Sequence, residues 1–454
     1  VSRPDTPQPL ALSEALVAVA SLIGLVALSF LLFGDAGANG PNQVALTVAT
    51  MIVAFIGWRR GHTLESLREA AIASVSSGIG AIFILLAVGA LIGTWAMSGT
   101  LVTMVHYGLQ LLHPNYFYVT AVLICAVVSA SIGSSWTVVG TVGIGLMGIS
   151  QNMGLDPGMS AAAIISGAYM GDTTSPLSDS ANLAAASAGT DLYRHIRETA
   201  VTSGLALLIS LGVFWVLGAP GDFDASDKIA MIERAFNVSP WLLIPLFVVV
   251  ILALLSFPPF TAIFLGALAG GILAVIVAPD RVIAFATRTG ADYGIPDWLA
   301  LLKGVWLALA SGYQSSTGVA VLDQLVSRGG MASMLNTIWL VITALAFGGV
   351  VEKAGVLERL ITPIIDKAKS VGALVAATVG SVVATSVATA DQYMAIVLPG
   401  RMFKGAYEKR GLAPAVLSRT IGASGTPTSA LIPWNSCGAY MAATLGVATA
   451  VTEA

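Results

Sequence analysis

The stretch GAYMGDTTSPLSDSANLAA, from Gly167 to Ala185, sets two aspartates, a proline and a cluster of hydroxyl and amide side chains inside a very apolar chain. Of 454 residues, 56% are hydrophobic and only 10% charged, where an ordinary soluble domain carries about 25% charged residues. Apolar runs of the ~17–25 residues that span a bilayer recur from Leu10 onward, and no polar segment is long enough to fold as a soluble domain. The first run, Leu10 to Phe33, is too long for a signal-peptide core and is expected to be a retained helix. The chain reads as an all-α polytopic membrane protein, in which so polar a stretch at membrane depth requires a reason.

Proline supplies the first part of it. Pro176 has no N–H and disfavours helix at Ser175, so the carbonyl of Asp172 loses its helical partner. Pro433 does the same to Ser429. In hydrocarbon an unsatisfied backbone group costs several kcal/mol, so a broken helix persists only where it is buried in protein or lines a watery cavity. Each break offers oxygens: Thr173, Thr174, Ser175 and Ser178 in one, Thr426, Thr428, Ser429, Asn435 and Ser436 in the other. Hard cations prefer oxygen ligands, so the two breaks are expected to hold a dehydrated alkali ion such as Na⁺.

Carboxylates supply the second part. Asp172 and Asp179 flank the first break, and Asp391 falls where a later hairpin turns back. An ionisable group inside a membrane segment is rare, costly and by default functional. Such a carboxylate is neutralised by a proton or by Na⁺ and resists crossing the low-dielectric core empty, a selection rule that produces Na⁺/H⁺ exchange. The primary Na⁺ site is therefore expected at Asp172 and Asp179. Plainer readings stand beside these: a helix cap for Asp172, Asp179 or Asp391, and a helix-packing amide for Asn182. Arg419 is a possible charge partner for these acids or for an anionic substrate, unless it snorkels to the interface. His62, His106, His113 and His195 are expected to be solvated at membrane boundaries. Cys125 and Cys437 are expected to be buried small residues, and Gly140, Gly143, Gly145 and Gly148 close-packing positions.

Internal repetition sets the architecture. Pro433 follows Pro176 at a spacing of 257 residues, and the same spacing brings Gly154-Leu155-Asp156-Pro157 onto Gly411-Leu412-Ala413-Pro414 and Ser134-Ser135-Trp136 onto Asp391-Gln392-Tyr393. The expected organisation is a first membrane repeat over 1–192, a linker helix (near 198–218) and acidic external loop over 193–238, and a second membrane repeat over 239–454. Lys and Arg concentrate around 58–68, 191–198, 353–369 and 401–410, which puts these segments and the N-terminus in the cytoplasm. That bias holds if Pro114 to Ser150 and Val371 to Phe403 are re-entrant hairpins. The fold expected is then two inverted structural repeats with re-entrant hairpins and broken transmembrane helices, the pattern of secondary transporters. Leu64 to Val75 and Val319 to Leu335 are expected to be interfacial arms.

Other classes fit less well. A net charge of −3 implies no nucleic-acid partner, and nothing resembles a phosphate loop, a zinc motif or a heptad array, so no cofactor is expected. Gly171-Asp172 superficially matches the catalytic pair of an intramembrane aspartyl protease, but that chemistry needs two aspartates sharing one proton. The repeat speaks for a carrier, not an enzyme. A channel would conduct without obligatory exchange.

At GAYMGDTTSPLSDSANLA and ALIPWNSCGAYMAATLGV, and also at GLAPAVLSRT and DQYMAIVLPGRMF, the sequence resembles the NhaC family of bacterial Na⁺/H⁺ antiporters. The resemblance implies a cytoplasmic (inner) membrane carrier with a scaffold part and a transport part, commonly a homodimer with elevator-like movement. The family's GD and SD acids match Asp172 and Asp179, and its PWN segment matches Pro433, Trp434 and Asn435. It implies Na⁺ and H⁺, with Li⁺ a further candidate ion; the alternative is Na⁺/H⁺-coupled exchange of a small carboxylate such as malate or lactate. The chain departs from the family pattern after Ser418-Arg419-Thr420, where Gly422 and Ala423 occupy positions at which many relatives carry an acidic pair, which bears on coupling stoichiometry.

Overall fold

The computed structural model describes residues 7–33, 40–218, 226–235, 238–288, 295–315, 327 and 329–447. The described residues are overwhelmingly helical, and eight of their helices are long and apolar enough to cross a membrane, beginning with Leu12–Phe33. The expectation of a polytopic helical membrane protein holds.

The polar stretch is interrupted where its proline requires. The Pro157–Thr174 helix ends with Ser175 extended, and a new helix, Asp179–Ala188, starts with Ser178 as its N-cap, its side chain accepting from the N–H of Ala181. In the second half the Pro414–Thr428 helix passes into a short 3₁₀ turn, Ser429–Leu431, before Ser436–Leu445 begins under an Asn435 cap. Pro427 also lies inside this helix, where it removes the N–H that would bond to the carbonyl four residues earlier.

Two helical hairpins stand against these breaks. Phe117–Ile132 turns at Gly133 and Ser134 into Ser135–Val138, which continues through a π-helical turn, Val139–Gly143, into Ile144–Met153. Val371–Thr389 turns at Ala390 and Asp391 into Gln392–Glu408. The turn residues Gly133 (φ 78°) and Ala390 (φ 56°) are both left-handed, a conformation that carries a steric cost for alanine. Gly154 and Gly411, the helix starts at Pro157 and Pro414, the caps Ser178 and Asn435, and Gly189 and Gly446 recur at the same 257-residue spacing.

Phe117–Ile132 lies unusually close to Pro157–Thr174 because Gly167 and Gly171 face it. A Cβ at Gly171 would come within 2.2 Å of the Ala130 nitrogen, and one at Gly167 within 2.2 Å of the Val122 oxygen. Small residues four apart are what let membrane helices approach so closely. Around this unit, Ile79–Ser98 packs on Pro259–Val277, and Leu12–Phe33 on Pro41–Arg59.

Several sequence expectations change. The helix expected near 198–218 spans Leu192–Val216, capped by Asp191. Of the acidic segment at 221–237, Ser226–Ala235 is helical, and 221–225, 236 and 237 lie outside the described residues, as do Arg3, 319–326 and Arg328. The arm at 64–75 forms the helix Leu64–Ser77, which packs against Leu335–Lys353. His106 and His195, expected to be solvated, are 5% and 0% exposed. His195 is held by tertiary packing, with its Nδ1 2.6 Å from Ser418 Oγ on the distant Pro414–Thr428 helix.

Candidate functional site

Asp172 lies in the last turn before the first break and is 7% exposed. Three serine hydroxyls converge on its carboxylate. Ser135, at the hairpin tip, donates to Oδ2 at 2.6 Å. Ser178 and Ser180, beyond the break, donate to Oδ1 at 2.6 and 2.9 Å. Ser180 Oγ also lies 3.3 Å from the Asp172 carbonyl oxygen, the group that Pro176 deprives of its helical partner. Hydrogen bonds to an ionised acceptor are stronger than neutral ones, so the hairpin tip, the first half-helix and the second half-helix are tied together through one acid.

The second half has a related but neutral cluster. Ser429 occupies the position 257 residues after Asp172, Gln392 that after Ser135, and Cys437 that after Ser180. Ser429 Oγ stands 2.9 Å from Gln392 Oε1, and Cys437 Sγ stands 3.0 Å from the same atom. Asn435 donates to the Ser386 carbonyl and hydroxyl, and Trp434 to the Val387 carbonyl, fastening this break to its own hairpin.

Both clusters face one cavity of about 570 Å³. Asp172, Asp179 and Ser180 line it from the first half, and Asp391, Gln392, Tyr393, Ser436 and Cys437 from the second. Trp136, Leu177, Phe257, Phe260 and Leu345 supply apolar wall, and no Lys or Arg lines it among the described residues. Three acids thus line one cavity. Among the described residues no three carboxylate, imidazole or thiol groups come together closely enough to hold one metal ion.

The expected site residues divide accordingly. Asp172 is buried at the centre. Asp179 is the first residue of its half-helix and lies exposed at the cavity edge. Asp391 is 9% exposed; its Oδ1 caps the Gln392–Glu408 helix by accepting from Met394 N–H at 2.7 Å. Ser178 bonds to Asp172, Ser436 lines the cavity, and Ser429 contacts Gln392. Thr173 donates to the Met170 carbonyl and contacts Ser203, Thr174 donates to the same carbonyl, and Ser175 Oγ accepts from Leu177 N–H. None of these three lines the cavity. Asn182 donates to the Ser178 and Pro176 carbonyls, Asn435 serves as a cap, and Thr428 donates back to the Ser424 carbonyl. Arg419 pairs with Glu198 at 3.5 Å, both half-exposed, and does not line the cavity.

Sequence reading passed over Ser135, Ser180, Gln392 and Trp136. For Ser135, Gln392 and Trp136 the signal was present in the alignment of Ser134-Ser135-Trp136 with Asp391-Gln392-Tyr393, from which only the acid stood out; Ser180 lay in the polar stretch itself.

Comparison with known proteins places these residues in context. The model of the Na⁺/H⁺ antiporter family matches residues 167–296 and 297–452. The chain is 36% identical over 409 residues to the Na⁺/H⁺ antiporter NhaC of Alkalihalophilus pseudofirmus, covering 89% of this chain and 84% of that one. It is 34% identical over 444 residues to the malate-2H⁺/Na⁺-lactate antiporter of Bacillus subtilis, covering 96% and 90%. It is 33% identical over 442 residues to the arginine/ornithine antiporter ArcD of Halobacterium salinarum, covering 96% and 86%.

Proposed function

The chain belongs to the Na⁺/H⁺ antiporter family, and we propose on that footing that it exchanges Na⁺ for H⁺ across a bacterial cytoplasmic membrane, with Asp172 as the group that carries one cation or the other. The observation that carries this reading is a buried carboxylate at a helix break, held by three serine hydroxyls beside a cavity that no Lys or Arg lines among the described residues.

A hydroxyl offers both a proton and lone pairs. Ser135, Ser178 and Ser180 can therefore donate to the bare carboxylate and, after rotating about χ1, turn their oxygens toward a bound Na⁺. When Asp172 is protonated, its O–H donates to a serine oxygen. The same side chains serve the empty, Na⁺-bound and H⁺-bound states without moving the backbone. A bare carboxylate is the costly species in a low-dielectric region, so the carrier changes sides only when the acid is discharged. Asp179 at the cavity edge attracts cations and passes them inward, and Asp391 faces them from the second half.

The proposal includes the architecture: two inverted repeats over 1–192 and 239–454, re-entrant hairpins, a cytoplasmic N-terminus and a homodimer. The chain acts as a carrier and performs no chemistry on its cargo. One relative is a malate-2H⁺/Na⁺-lactate antiporter, but an organic anion would need a cationic partner, and Arg419 is engaged by Glu198 instead. That favours cations alone.

The test is flux in proteoliposomes. With an imposed pH gradient, external Na⁺ or Li⁺ is expected to collapse the gradient, and lactate is not. Asp172→Asn is expected to abolish exchange and Asp179→Asn to slow it. Normal exchange by both variants would reject the site.

A further inference from the structure

Gln392 is the residue of this cavity that neither the charge pattern nor the family assignment singles out. It is 6% exposed, sits at the second hairpin tip next to Asp391, and lines the cavity. Its immediate contacts contain a conflict. Ser429 Oγ lies 2.6 Å from the Thr426 carbonyl oxygen and 2.9 Å from Gln392 Oε1, and both are acceptors. A serine hydroxyl has one proton. The shorter contact, to a backbone carbonyl that has no donor role, takes it.

The Ser429 oxygen is then an acceptor, and the amide atom facing it must be a donor. The two ends of a glutamine amide are nearly equal in shape and are distinguished by their partners. Turned by half a rotation, the amide gives an N–H to Ser429 and sets its NH₂ group beside Cys437 sulfur, itself a weak acceptor. The carbonyl oxygen then takes the other amide position, on a residue that lines the cavity. Beside it, Asp391 lines the same cavity and uses Oδ1 for its cap.

We propose that Gln392 and Asp391 form a second alkali-cation subsite at the second hairpin tip, with the Gln392 amide oxygen as a neutral ligand, separate from the Asp172 cluster across the same cavity. The proposal rests on the cation-exchange reading above and adds a division of labour. Hard cations take neutral carbonyl oxygens as ligands as well as carboxylates, whereas an amide does not take up a proton in the physiological range. Gln392 thereby favours Na⁺ over H⁺, where Asp172 serves both.

The experiment compares wild type, Gln392→Leu, Gln392→Glu, Ser429→Ala and Asp172→Asn, each purified in detergent and checked for a monodisperse elution profile. Two quantities are read: the Na⁺ concentration for half-maximal exchange in proteoliposomes, and Na⁺-dependent thermal stabilisation of the purified protein, with choline as control. Gln392→Leu is expected to raise the half-saturating Na⁺ concentration at least roughly tenfold, in line with loss of one ligand-shell group. Gln392→Glu keeps an oxygen there and is expected to restore Na⁺ affinity. Should Gln392→Leu fail to fold, Ser429→Ala, which releases the amide from its anchor, is expected to weaken Na⁺ affinity in the same direction. Unchanged Na⁺ affinity in both, or a lowered maximal rate with affinity intact, overturns the subsite. Normal exchange by Asp172→Asn overturns the transport reading instead, and the thermal measurement still decides whether Gln392 binds Na⁺.

Discussion

The phenol of Tyr440 lies face to face on the indole of Trp136, centroids 4.1 Å apart and planes 15° apart, and its hydroxyl donates to the Trp136 carbonyl oxygen at 2.7 Å. These residues come from opposite halves of the chain. The contact joins the first hairpin, just past its tip, to the half-helix after the second break. It sits where the hairpin widens into a π-helical turn at Val139–Gly143, a feature that often marks functional sites.

Tyr440→Phe keeps the ring stack but leaves the carbonyl without its phenolic donor. The expected loss is about 1–2 kcal/mol, read as a lower midpoint of thermal unfolding in detergent. Gly140→Ala should cost more, because its Cβ would fall 2.5 Å from the Tyr440 hydroxyl and must displace the ring. An unchanged midpoint in both variants would show that the stack contributes nothing to stability.

Gly171→Ala tests the close approach of hairpin and half-helix. With its Cβ 2.2 Å from backbone nitrogen, no side-chain rotation relieves the clash and the helices must separate. Overpacking of this kind costs about 1–3 kcal/mol. The separation also carries Asp172 away from Ser135, so exchange should fall together with the unfolding midpoint. Wild-type flux from a folded Gly171→Ala protein would mean that the Ser135 contact is dispensable.

Ser135→Ala and Ser178→Ala each remove one donor from Asp172. Ser178 also caps the second half-helix through Ala181 N–H, worth a further ~1 kcal/mol. Ser178→Ala is therefore expected to lower the unfolding midpoint more than Ser135→Ala, while both weaken Na⁺ affinity. The reverse order of stabilities would count against the cap.

Arg419→Gln separates the two substrate classes. The Arg419–Glu198 pair is half-exposed, 33% and 42%, and such pairs contribute about 0–1 kcal/mol. Stability and Na⁺/H⁺ exchange are expected to stay near wild type. Loss of transport restricted to lactate or malate would assign Arg419 to an anion instead.

Much of the architecture was legible because it follows from groups the backbone lacks or cannot discharge. Pro176 has no N–H wherever it is placed, so a break after Thr174 was required, and an acid in so apolar a run had to be given a partner. The polar cluster around the break was harder to read. Successive helical residues point about 100° apart, so of the adjacent Asp172, Thr173 and Thr174, one meets the hairpin tip, one meets Ser203 and one folds back on its own helix. Hydroxyl content was visible; direction was not. Arg419 failed for a similar reason, since the acid it meets lies on the linker helix and not at either break.

From residue order alone came the membrane class, the two interruptions, the 257-residue spacing and the place of Asp172 beside a break, because these depend on composition and on covalent chemistry that no neighbour can alter. The choice of Ser135 and Ser180 over Thr173 and Thr174, the burial of His195, and the meeting of Asp391 and Gln392 with Asp172 at one cavity depended on how the helices rotate and which distant segments settle against them. Hydrogen bonds demand distances near 3 Å and defined angles, and only the assembled helices bring groups far apart in the chain into that range.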